Sequence, residues 1–494
     1  MNYADLATLI VPEILVVVTA FVALIVDLAE MRHKPIRTRM FTAALITAVG
    51  CMVSIFWLSQ TGVASRYYDG MLVIDPLNQL MKQIVLVMTI FTAFISIESN
   101  FTDHVGEYFF LVLLATVGMM FLVSSENLLM IFLALELLSL SLYILTAYNK
   151  QNIKSAEAAL KYFLFGGMSA AFMLFGLSLV YGLSGEINLI RIKDKLLAPP
   201  LDPLLVVALV MVVIGFGFKV AAVPFHLWAP DAYQGAPAPS AAFIASGSKV
   251  ASFFILAKVV MVGFFRQNGS GGWHNYLPGW VPLIAIVAAL SILLGNLAAI
   301  AQTSVRRLLA YSAIAQAGYV LIGLLANNQQ GIESLIFYIT TYALTVLGAF
   351  GVVNIVQERA GHEKLSNFAG LAKRAPLLSF CMMIFMLSLA GIPPLAGFFG
   401  KFYLFASAVG AGKSMGLLWL VIFAVAMSAV SLYYYLQVLK QIYVTAAPVD
   451  APAIHSTILT RMVIASLALA VLLLGCAPNF FLQRIIPAVK AVGF

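Results

Sequence analysis

The chain has 494 residues, of which 62% are hydrophobic and 10% are charged, and its net charge is +8 at pH 7. Typical soluble domains carry about 25% charged residues, so this composition excludes a soluble fold and indicates a protein embedded in a bilayer. The positive charges lie in loops without an aromatic-interleaved basic domain, which argues against a nucleic-acid partner.

Apolar stretches recur along the whole chain, each long enough to cross roughly 30 Å of hydrocarbon as a helix. They predict an all-α polytopic membrane protein with about 14 transmembrane helices. The predicted spans are 9–29, 41–59, 77–97, 107–123, 126–148, 158–183, 203–223, 239–265, 278–302, 305–326, 331–357, 376–412 (interrupted), 416–443 and 458–478. The first lacks a basic n-region and a cleavage site, so we expect a retained helix and not a signal peptide.

Lysine and arginine are divided unevenly between alternate loops. The richer side includes Arg32, Arg37, Lys154, Arg307 and Lys364. Because positively charged loops favour the cytoplasm, the sequence predicts that both termini lie on the opposite, periplasmic side.

An internal repeat relates the two halves of the chain. A shift of 176 residues (333 − 157) brings residues 157–162 onto 333–338, and it brings Tyr143 onto Tyr319. A period of five helices, an odd number, reverses the second copy across the membrane. The sequence therefore predicts two inverted five-helix repeats, as in secondary transporters whose ion sites lie near the midplane.

Each half also contains a helix interrupted by prolines next to a lysine. Pro224 follows Lys219 in the first half, and Pro393 and Pro394 precede Lys401 in the second. Proline removes a backbone donor and clashes with the preceding turn, and the carbonyls that it frees must face water or protein. An ordinary proline kink is the alternative at either site alone. Two breaks in corresponding places favour an ion pathway.

Ionisable residues inside the spans are the functional candidates, because a charge at a helix centre costs roughly 2.5–3.5 kcal/mol. Glu136 lies within an apolar helix, either as the partner of a buried lysine or as a protonated, hydrogen-bonded glutamate. Lys219 stands before the first break and cannot easily reach the surface. Lys249 lies among small residues that allow close helix packing. Lys401 follows the second break.

Two further candidates have structural alternatives. Lys161 lies a few residues inside its helix, so its amine could instead extend to the surface. His226, in the first break, could relay protons because its unperturbed pKa is about 6.5, or it could bond a freed carbonyl. Helix-end or interface roles are expected for Lys82, Glu157, Lys258 and Glu333, a cytoplasmic anchor for Arg306 and Arg307, and a mouth or cap role for Asp231.

Lysine suits a proton relay because burial disfavours its charged form and a nearby carboxylate restores it. A carboxylate changes the proton affinity of a lysine by about 1.4–4 kcal/mol. One charge crossing a membrane gains roughly 2.3 kcal/mol per 100 mV. Movement of Glu136 relative to Lys219 could therefore load and unload a proton against a membrane potential.

These positions resemble a known family. The segment 219–237, continuing to Lys249, is similar to the signature of the antiporter-like subunits of respiratory complex I and of multisubunit cation/proton antiporters. The sequence Tyr-Gln-Gly-Ala-Pro at 233–237 resembles the N-type subunits, counterparts of mitochondrial NADH dehydrogenase subunit 2. Segments 157–162, 307–312 and 391–402 match as well, and the resemblance covers about residues 105–445.

The resemblance implies a proton-translocating membrane-arm subunit of a bacterial inner-membrane NADH:quinone oxidoreductase. Its relay would consist of Glu136, Lys161, Lys219, His226, Lys249 and Lys401. Neighbours would be other membrane subunits on both faces and the lipid bilayer. The chain contains no nucleotide loop, cluster-ligand spacing or flavin site, so no cofactor or metal is expected within it; NAD, FMN, iron–sulfur clusters and quinone are assigned to partner subunits.

Four parts are expected: an N-terminal three-helix region (1–104), a first antiporter-like repeat (105–270), a second, inverted repeat (271–445) and a C-terminal helix (446–494). Two other functions stay open. A subunit of a multisubunit sodium/proton antiporter predicts sodium-dependent transport. A non-pumping membrane scaffold with static ion pairs predicts that removal of Lys219 affects assembly but not pumping.

Overall fold

The computed structural model of the chain describes residues 8–60, 65–196, 201–271, 277–411, 416–448, 454 and 456–492. Helices dominate this part of the chain. In chain order they are α1 Val11–Val26, α2 Ile36–Gln60, α3 Pro76–Ile95, α4 Val105–Val123, α5 Leu128–Thr146, α6 Ile153–Ser184, α7 Leu189–Lys195, α8 Pro203–Val220, α9 Trp228–Gly235, α10 Ala238–Ala245, α11 Gly247–Lys258, α12 Trp280–Ile300, α13 Val305–Leu325, α14 Gln329–Ala360, α15 Leu371–Arg374, α16 Pro376–Ala390, α17 Ala396–Val409, α18 Leu418–Tyr443, α19 Ile458–Cys476 and α20 Asn479–Val492.

The predicted transmembrane architecture is confirmed. Within the described residues, 13 helical segments are long and apolar enough to cross a membrane. A further crossing is divided between the shorter apolar helices α16 and α17, at the interruption predicted for 376–412. Two features were not predicted: the antiparallel hairpin of β1 Ser65–Tyr67 and β2 Leu72–Ile74, and α20, which packs against α3 and α14.

Local sequence signals set the helix starts. Proline occupies the first position of α3, α8 and α16, where its missing backbone donor costs nothing. The side chains of Asn127, Asn152 and Asn188 accept hydrogen bonds from the first backbone N–H groups of α5, α6 and α7. Such caps satisfy donors that a helix start leaves without intrahelical partners.

The most enclosed helices form the centre of the bundle. The span Ala238–Gly263, which contains α10 and α11, is buried along its apolar stretch, and α14 is buried in the same way. The apolar stretch of α13 is almost completely buried. Outer helices such as α1 and α6 expose large apolar side chains, including Phe21 and Phe175. In a membrane protein these faces contact lipid or neighbouring subunits. The centre is therefore the part best shielded from lipid.

Contacts between loops agree with the alternating side assignment. Backbone bridges join Asn127 to Asn188 and Ser304 to Lys364, and the alternation of the predicted spans puts both members of each pair on one side. The same alternation puts Arg37 and Glu98 together on the basic side, and they form an ion pair of 3.1 Å. Each of these contacts therefore joins loops of the same side.

Candidate functional site

Both predicted breaks are present. α8 ends at Val220, and the chain becomes helical again only at Trp228. α16 ends at Ala390, and α17 begins at Ala396. Helix ends leave carbonyl oxygens without intrahelical partners, so each break needs hydrogen-bond donors from elsewhere in the bundle.

The first break brings Lys219 and Lys249 together. Lys249 is 2% exposed and donates from Nζ to the carbonyl oxygen of Val220, the last residue of α8. Lys219 precedes Val220 in α8 and is 8% exposed. Its Nζ donates to Ser139 Oγ of α5. The Lys219 amine lies 5.8 Å from the ring centre of Tyr143, within the range of a cation–π contact. Two buried lysines are therefore associated with one helix end: Lys249 bonds its last carbonyl, and Lys219 belongs to its last turn.

Glu136 lies close to this site but does not bond the lysine directly. It stands one turn before Ser139 on α5, half-buried beside the outward-facing Leu133 and Leu140. Its Oε1 is enclosed and has no hydrogen-bond partner among the described residues. Lys219 contacts the Ser139 hydroxyl instead of the carboxylate that we expected as its partner.

The second break is arranged around Lys401, which is 4% exposed. Its Nζ donates to the carbonyl oxygens of Leu389 and Ala390 at 3.0 and 3.2 Å, and to Ser428 Oγ at 2.9 Å. The ring centre of Tyr319 lies 4.9 Å from the amine. As at the first break, a buried lysine from another helix caps the freed carbonyls.

The two lysine sites share a tyrosine ring at positions that the predicted repeat relates. The shift of 176 residues relates Tyr143 to Tyr319, and each ring lies against a buried amine, Lys219 in the first case and Lys401 in the second. The lysines themselves are not equivalent: Lys219 precedes its break and Lys401 follows its own. Each site thus has its own tyrosine ring beside a buried amine, but the two amines come from opposite sides of their breaks.

Uncharged polar side chains lie between the two sites. Backbone N–H of Val223, in the first break, donates to Ser291 Oγ of α12 at 2.9 Å. Farther along α12, Asn296 Nδ2 donates at 3.1 Å to the hydroxyl of Tyr319, the ring that faces Lys401. A discontinuous line of hydrogen-bonding groups therefore runs along α12 from one break towards the other.

Gln316 of α13 forms a second connection at the later break. Its Nε2 donates at 3.1 Å both to the carbonyl oxygen of Leu389, which also accepts from Lys401, and to the hydroxyl of Tyr435. Tyr338 donates to Gln316 Oε1. Sequence analysis missed both amides on α12 and α13 because it weighed only charged residues. Their position in apolar helices was a usable signal, since a buried amide needs partners.

Lys161 lies apart from the buried amines. Its Nζ is 2.6 Å from Glu157 and 2.8 Å from Asp231, and the side chain is 41% exposed. Arg307 also binds Asp231, at 2.6 Å. Burial opposes the charged form of Asp231, but hydrogen bonds from Lys161 and Arg307 hold the pKa of this carboxyl below its usual range. These four residues form a charged mouth on the basic side of the bundle.

Arg306, expected as a cytoplasmic anchor, is buried. It is 2% exposed and donates to the carbonyl oxygens of Tyr233 and Ala236 at the end of α9. Arg306 therefore caps the end of α9 from inside the bundle, and its role as a cytoplasmic anchor stays a prediction.

Glu363 lies in the same region as Arg306, beside α9. Its carboxylate accepts from Gln234 at 2.9 Å and from Ser304 at 3.3 Å. Burial raises the pKa of Glu363, but these hydrogen bonds and the charge of Arg306 outweigh it and leave the pKa below its usual range. The short helix α9 is thus tied to the loop after α14.

His226 lies in the turn that connects α8 with α9. The residue is half-buried, and its Nδ1 is enclosed without a hydrogen-bond partner among the described residues. Its neighbours Pro224 and Leu227 are exposed on the side of the bundle. The structure places His226 in the first break, and no ion pair connects it to the lysines within the described chain.

Two interrupted spans, each capped by a buried lysine, define the class of antiporter-like, ion-translocating membrane proteins. The family model described as "NADH:quinone oxidoreductase/Mrp antiporter, TM" matches residues 125–431. The chain belongs to this family.

Individual relatives narrow the comparison to N-type subunits. The chain is 52% identical to NADH-quinone oxidoreductase subunit N 2 of Acidobacterium capsulatum, over 98% of this chain and 99% of the relative. It is 40% identical to NADH-quinone oxidoreductase subunit N of Desulforamulus reducens, over 83% and 84%. The resemblance inferred from the sequence is confirmed.

Solved structures give the same fold. A chain of respiratory complex I from Thermus thermophilus superposes with a TM-score of 0.79 at 32% identity, covering 96% of this chain and 98% of that one. A chain of the Mrp complex from Dietzia sp. superposes with a TM-score of 0.81 at 21% identity, covering 97% and 96%. The second likeness concerns the fold alone.

Proposed function

We propose that this chain is a proton-translocating N-type subunit of a NADH:quinone oxidoreductase, and that protons cross it by way of Lys219, Lys249 and Lys401. The observation that carries the proposal is the bonding of these amines. Each is buried and bonds to carbonyl or hydroxyl oxygens, and none has an ion-pair partner within 4.0 Å in the described chain.

The chemistry of such an amine favours proton transfer over a static role. A buried ion pair holds its charge, whereas an unpaired buried charge is costly unless it can be neutralised. An amine that loses its proton still donates hydrogen bonds to the same carbonyls. The lysine sites therefore accept both protonation states with little structural change.

Three enclosed polar atoms near the first break support hydration there. Glu136 Oε1, the Tyr143 hydroxyl and His226 Nδ1 have no hydrogen-bond partner among the described residues. Buried polar groups normally bind protein or ordered water. We infer that water connects Glu136 with Lys219, so that a shift of either side chain alters their electrostatic coupling.

The proposed route begins at the charged mouth. Lys161, Asp231 and Arg307 lie on the basic side, which we place in the cytoplasm by the positive-inside bias. From the first break, Ser291, Asn296 and Tyr319 lie towards Lys401. In this orientation both termini are on the periplasmic side of a bacterial inner membrane.

Partners follow from the relatives' names. NADH-quinone oxidoreductase is a multisubunit enzyme, so we infer that other membrane subunits pack against the exposed apolar faces and that the remaining surface contacts lipid. NAD, FMN, iron–sulfur clusters and quinone are assigned to those partners, with no redox centre in this chain. The division into parts at 104, 270 and 445, including the inverted repeats, stays a prediction.

The test is redox-driven proton uptake into vesicles that contain the whole complex. Lys219→Ala should abolish this subunit's share of pumping and slow NADH oxidation in coupled vesicles. The exposed lysine variant Lys440→Ala, compared at equal assembly, should behave as wild type. Normal pumping and turnover in Lys219→Ala would return Lys219 to a structural role and favour a scaffold. Proton movement that requires sodium would favour the antiporter alternative.

A further inference from the structure

A second group of buried polar and charged residues lies away from the three lysines, at the end of the bundle opposite the mouth. Each member is at most 7% exposed. We call this group the outer cluster; it consists of Glu13, Asp75, Asn78, Lys82, Glu126 and Lys258. From the sequence, Lys82 and Lys258 are expected in helix-end or interface roles.

Close contacts join most of the outer cluster. Lys258 Nζ donates at 3.1 Å to Asn78 Oδ1 and lies 3.9 Å from Glu126 Oε1. Asn78 also donates to the Asp75 carboxylate at 2.5 Å. The other oxygen of Glu126 accepts from Arg66, whose side chain is 52% exposed, at 3.0 Å. A line of hydrogen bonds and ion pairs therefore runs from the end of α11 through Glu126 to Arg66 at the surface.

Lys82 and Glu13 form the second arm of the cluster. Lys82 Nζ lies 2.6 Å from Glu13 Oε1. Glu13 Oε2 is buried without a hydrogen-bond partner among the described residues. Since a buried carboxylate oxygen normally binds a donor, this oxygen is placed to bind water or a proton.

A cavity of about 320 Å³ connects the two arms. Its lining includes Asn78 and Lys82 from the cluster, and Thr8, Gln60 and Tyr67 from the ends of α1, α2 and the hairpin. Thr8 and Gln60 are exposed. The cavity is roomy enough for several water molecules, and Asn78 and Lys82 give water polar partners within a lining that is otherwise largely apolar.

The cluster is also connected to the proposed route. Lys249 and Lys258 lie nine residues apart across α11, which separates them by about 13.5 Å along the helix axis. α3 and α4 pack against α11, and their Thr89 and Thr116 hydroxyls form a buried hydrogen bond of 2.8 Å. Polar groups are thus present beside α11 as well as at its two lysines.

We propose that the outer cluster and its cavity form the site at which protons leave this chain on the side opposite the mouth. A proton that has passed the three lysines moves from the Lys249 site to Lys258, whose amine is held by Asn78, and then through cavity water to the Lys82–Glu13 pair, which holds the proton before release. Each step moves one H⁺ from a donor to an acceptor lone pair, and no electron is transferred. The inference rests on the proposed function.

The test compares two pairs of buried charges in the first three spans. The double variant Glu13→Gln, Lys82→Met removes both charges at similar volume. The matched control, Asp27→Asn, Arg39→Met, neutralises a buried pair with a 2.6 Å contact that does not line the cavity. The readout is the number of protons moved per NADH oxidised, per assembled complex.

The cluster variant should fall to the ratio of Lys219→Ala, while the control should keep the wild-type ratio. A wild-type ratio in the cluster variant, beside a lowered ratio in Lys219→Ala, would overturn the exit site and leave the proposed function intact. A wild-type ratio in Lys219→Ala would overturn the proposed function itself. An equal loss in the control would also overturn the exit site, because any buried pair would then suffice.

Cavity labelling keeps the inference testable if the double variant does not assemble. In a Cys476→Ser background, Ile74→Cys places a thiol in the cavity wall, and Asp194→Cys places one on the exposed surface at the same end of the bundle. A membrane-impermeant cationic thiol reagent, applied from the side opposite NADH oxidation, should lower the proton ratio only in Ile74→Cys. Complete labelling of Ile74→Cys with an unchanged proton ratio, or labelling only from the NADH side, would overturn the exit site.

Discussion

The variant Lys401→Arg distinguishes two roles of Lys401, that of a proton carrier and that of a lysine that only caps a helix end. The native amine donates to Leu389, Ala390 and Ser428 at 2.9 to 3.2 Å, and a guanidinium has enough donors for all three. A guanidinium, however, releases a proton much less readily than an amine does. The ordinary pKa of arginine lies well above the lysine value of about 10.4, which makes that release about 3–5 kcal/mol more costly. At 1.36 kcal/mol per tenfold, proton transfer should slow about 10²- to 10³-fold.

The assay is redox-driven proton uptake by the purified complex in vesicles, with assembly checked by subunit content. Lys401→Arg should assemble and fail to pump. Lys401→Met, which has no donor, should also fail to pump and should assemble less well, because it leaves the Ala390 carbonyl unpaired at a cost of about 1–3 kcal/mol. Pumping by Lys401→Arg at more than half the wild-type rate would refute the relay and favour a static cap.

Three further predictions concern neighbouring features. Ser139→Ala removes the hydroxyl that accepts from the first buried lysine; it should slow pumping about 2- to 10-fold, as expected for about 0.5–1.5 kcal/mol, whereas the exposed Ser178→Ala should have no effect in the same vesicle assay. Gly397→Ala would place a Cβ 1.8 Å from a backbone carbonyl oxygen in the second break, so complex assembly should fall sharply on native gels, while Gly182→Ala, with nothing within 4 Å, should assemble normally. Glu363 has a lowered pKa in the folded chain, so its stabilising effect is full above the unfolded value of about 4.3 and is lost as pH falls through the folded value. The difference in thermal stability between wild type and Glu363→Gln should therefore shrink below about pH 4.5. A difference that grows on acidification would contradict this prediction.

The spans and both breaks could be predicted because they depend on local features. A hydrophobic length of about 20 residues defines a crossing, and prolines at 224, 393 and 394 mark where a helix opens. Lys219, Lys249 and Lys401 stood out because charges are rare in such helices. Each of these signals is contained in a short stretch of sequence.

The partners of the lysines could not be predicted, since they come from other helices. Lys249 bonds the end of α8, and Lys219 bonds Ser139 instead of Glu136. Spacing along the chain does not show which turn of α5 faces the amine. For the same reason Lys161 could not be separated from the buried relay: its ion pair with Asp231 depends on where α9 folds back onto α6.

The most direct test of the account is the proton-to-NADH ratio of complexes that carry Lys219→Ala, Lys249→Ala or Lys401→Ala singly and all three together. If the three amines act in series, each single variant loses the whole contribution of this subunit, and the triple variant loses no more. Single losses that add up in the triple variant, or a wild-type ratio in any assembled single variant, would contradict a single route through the buried lysines.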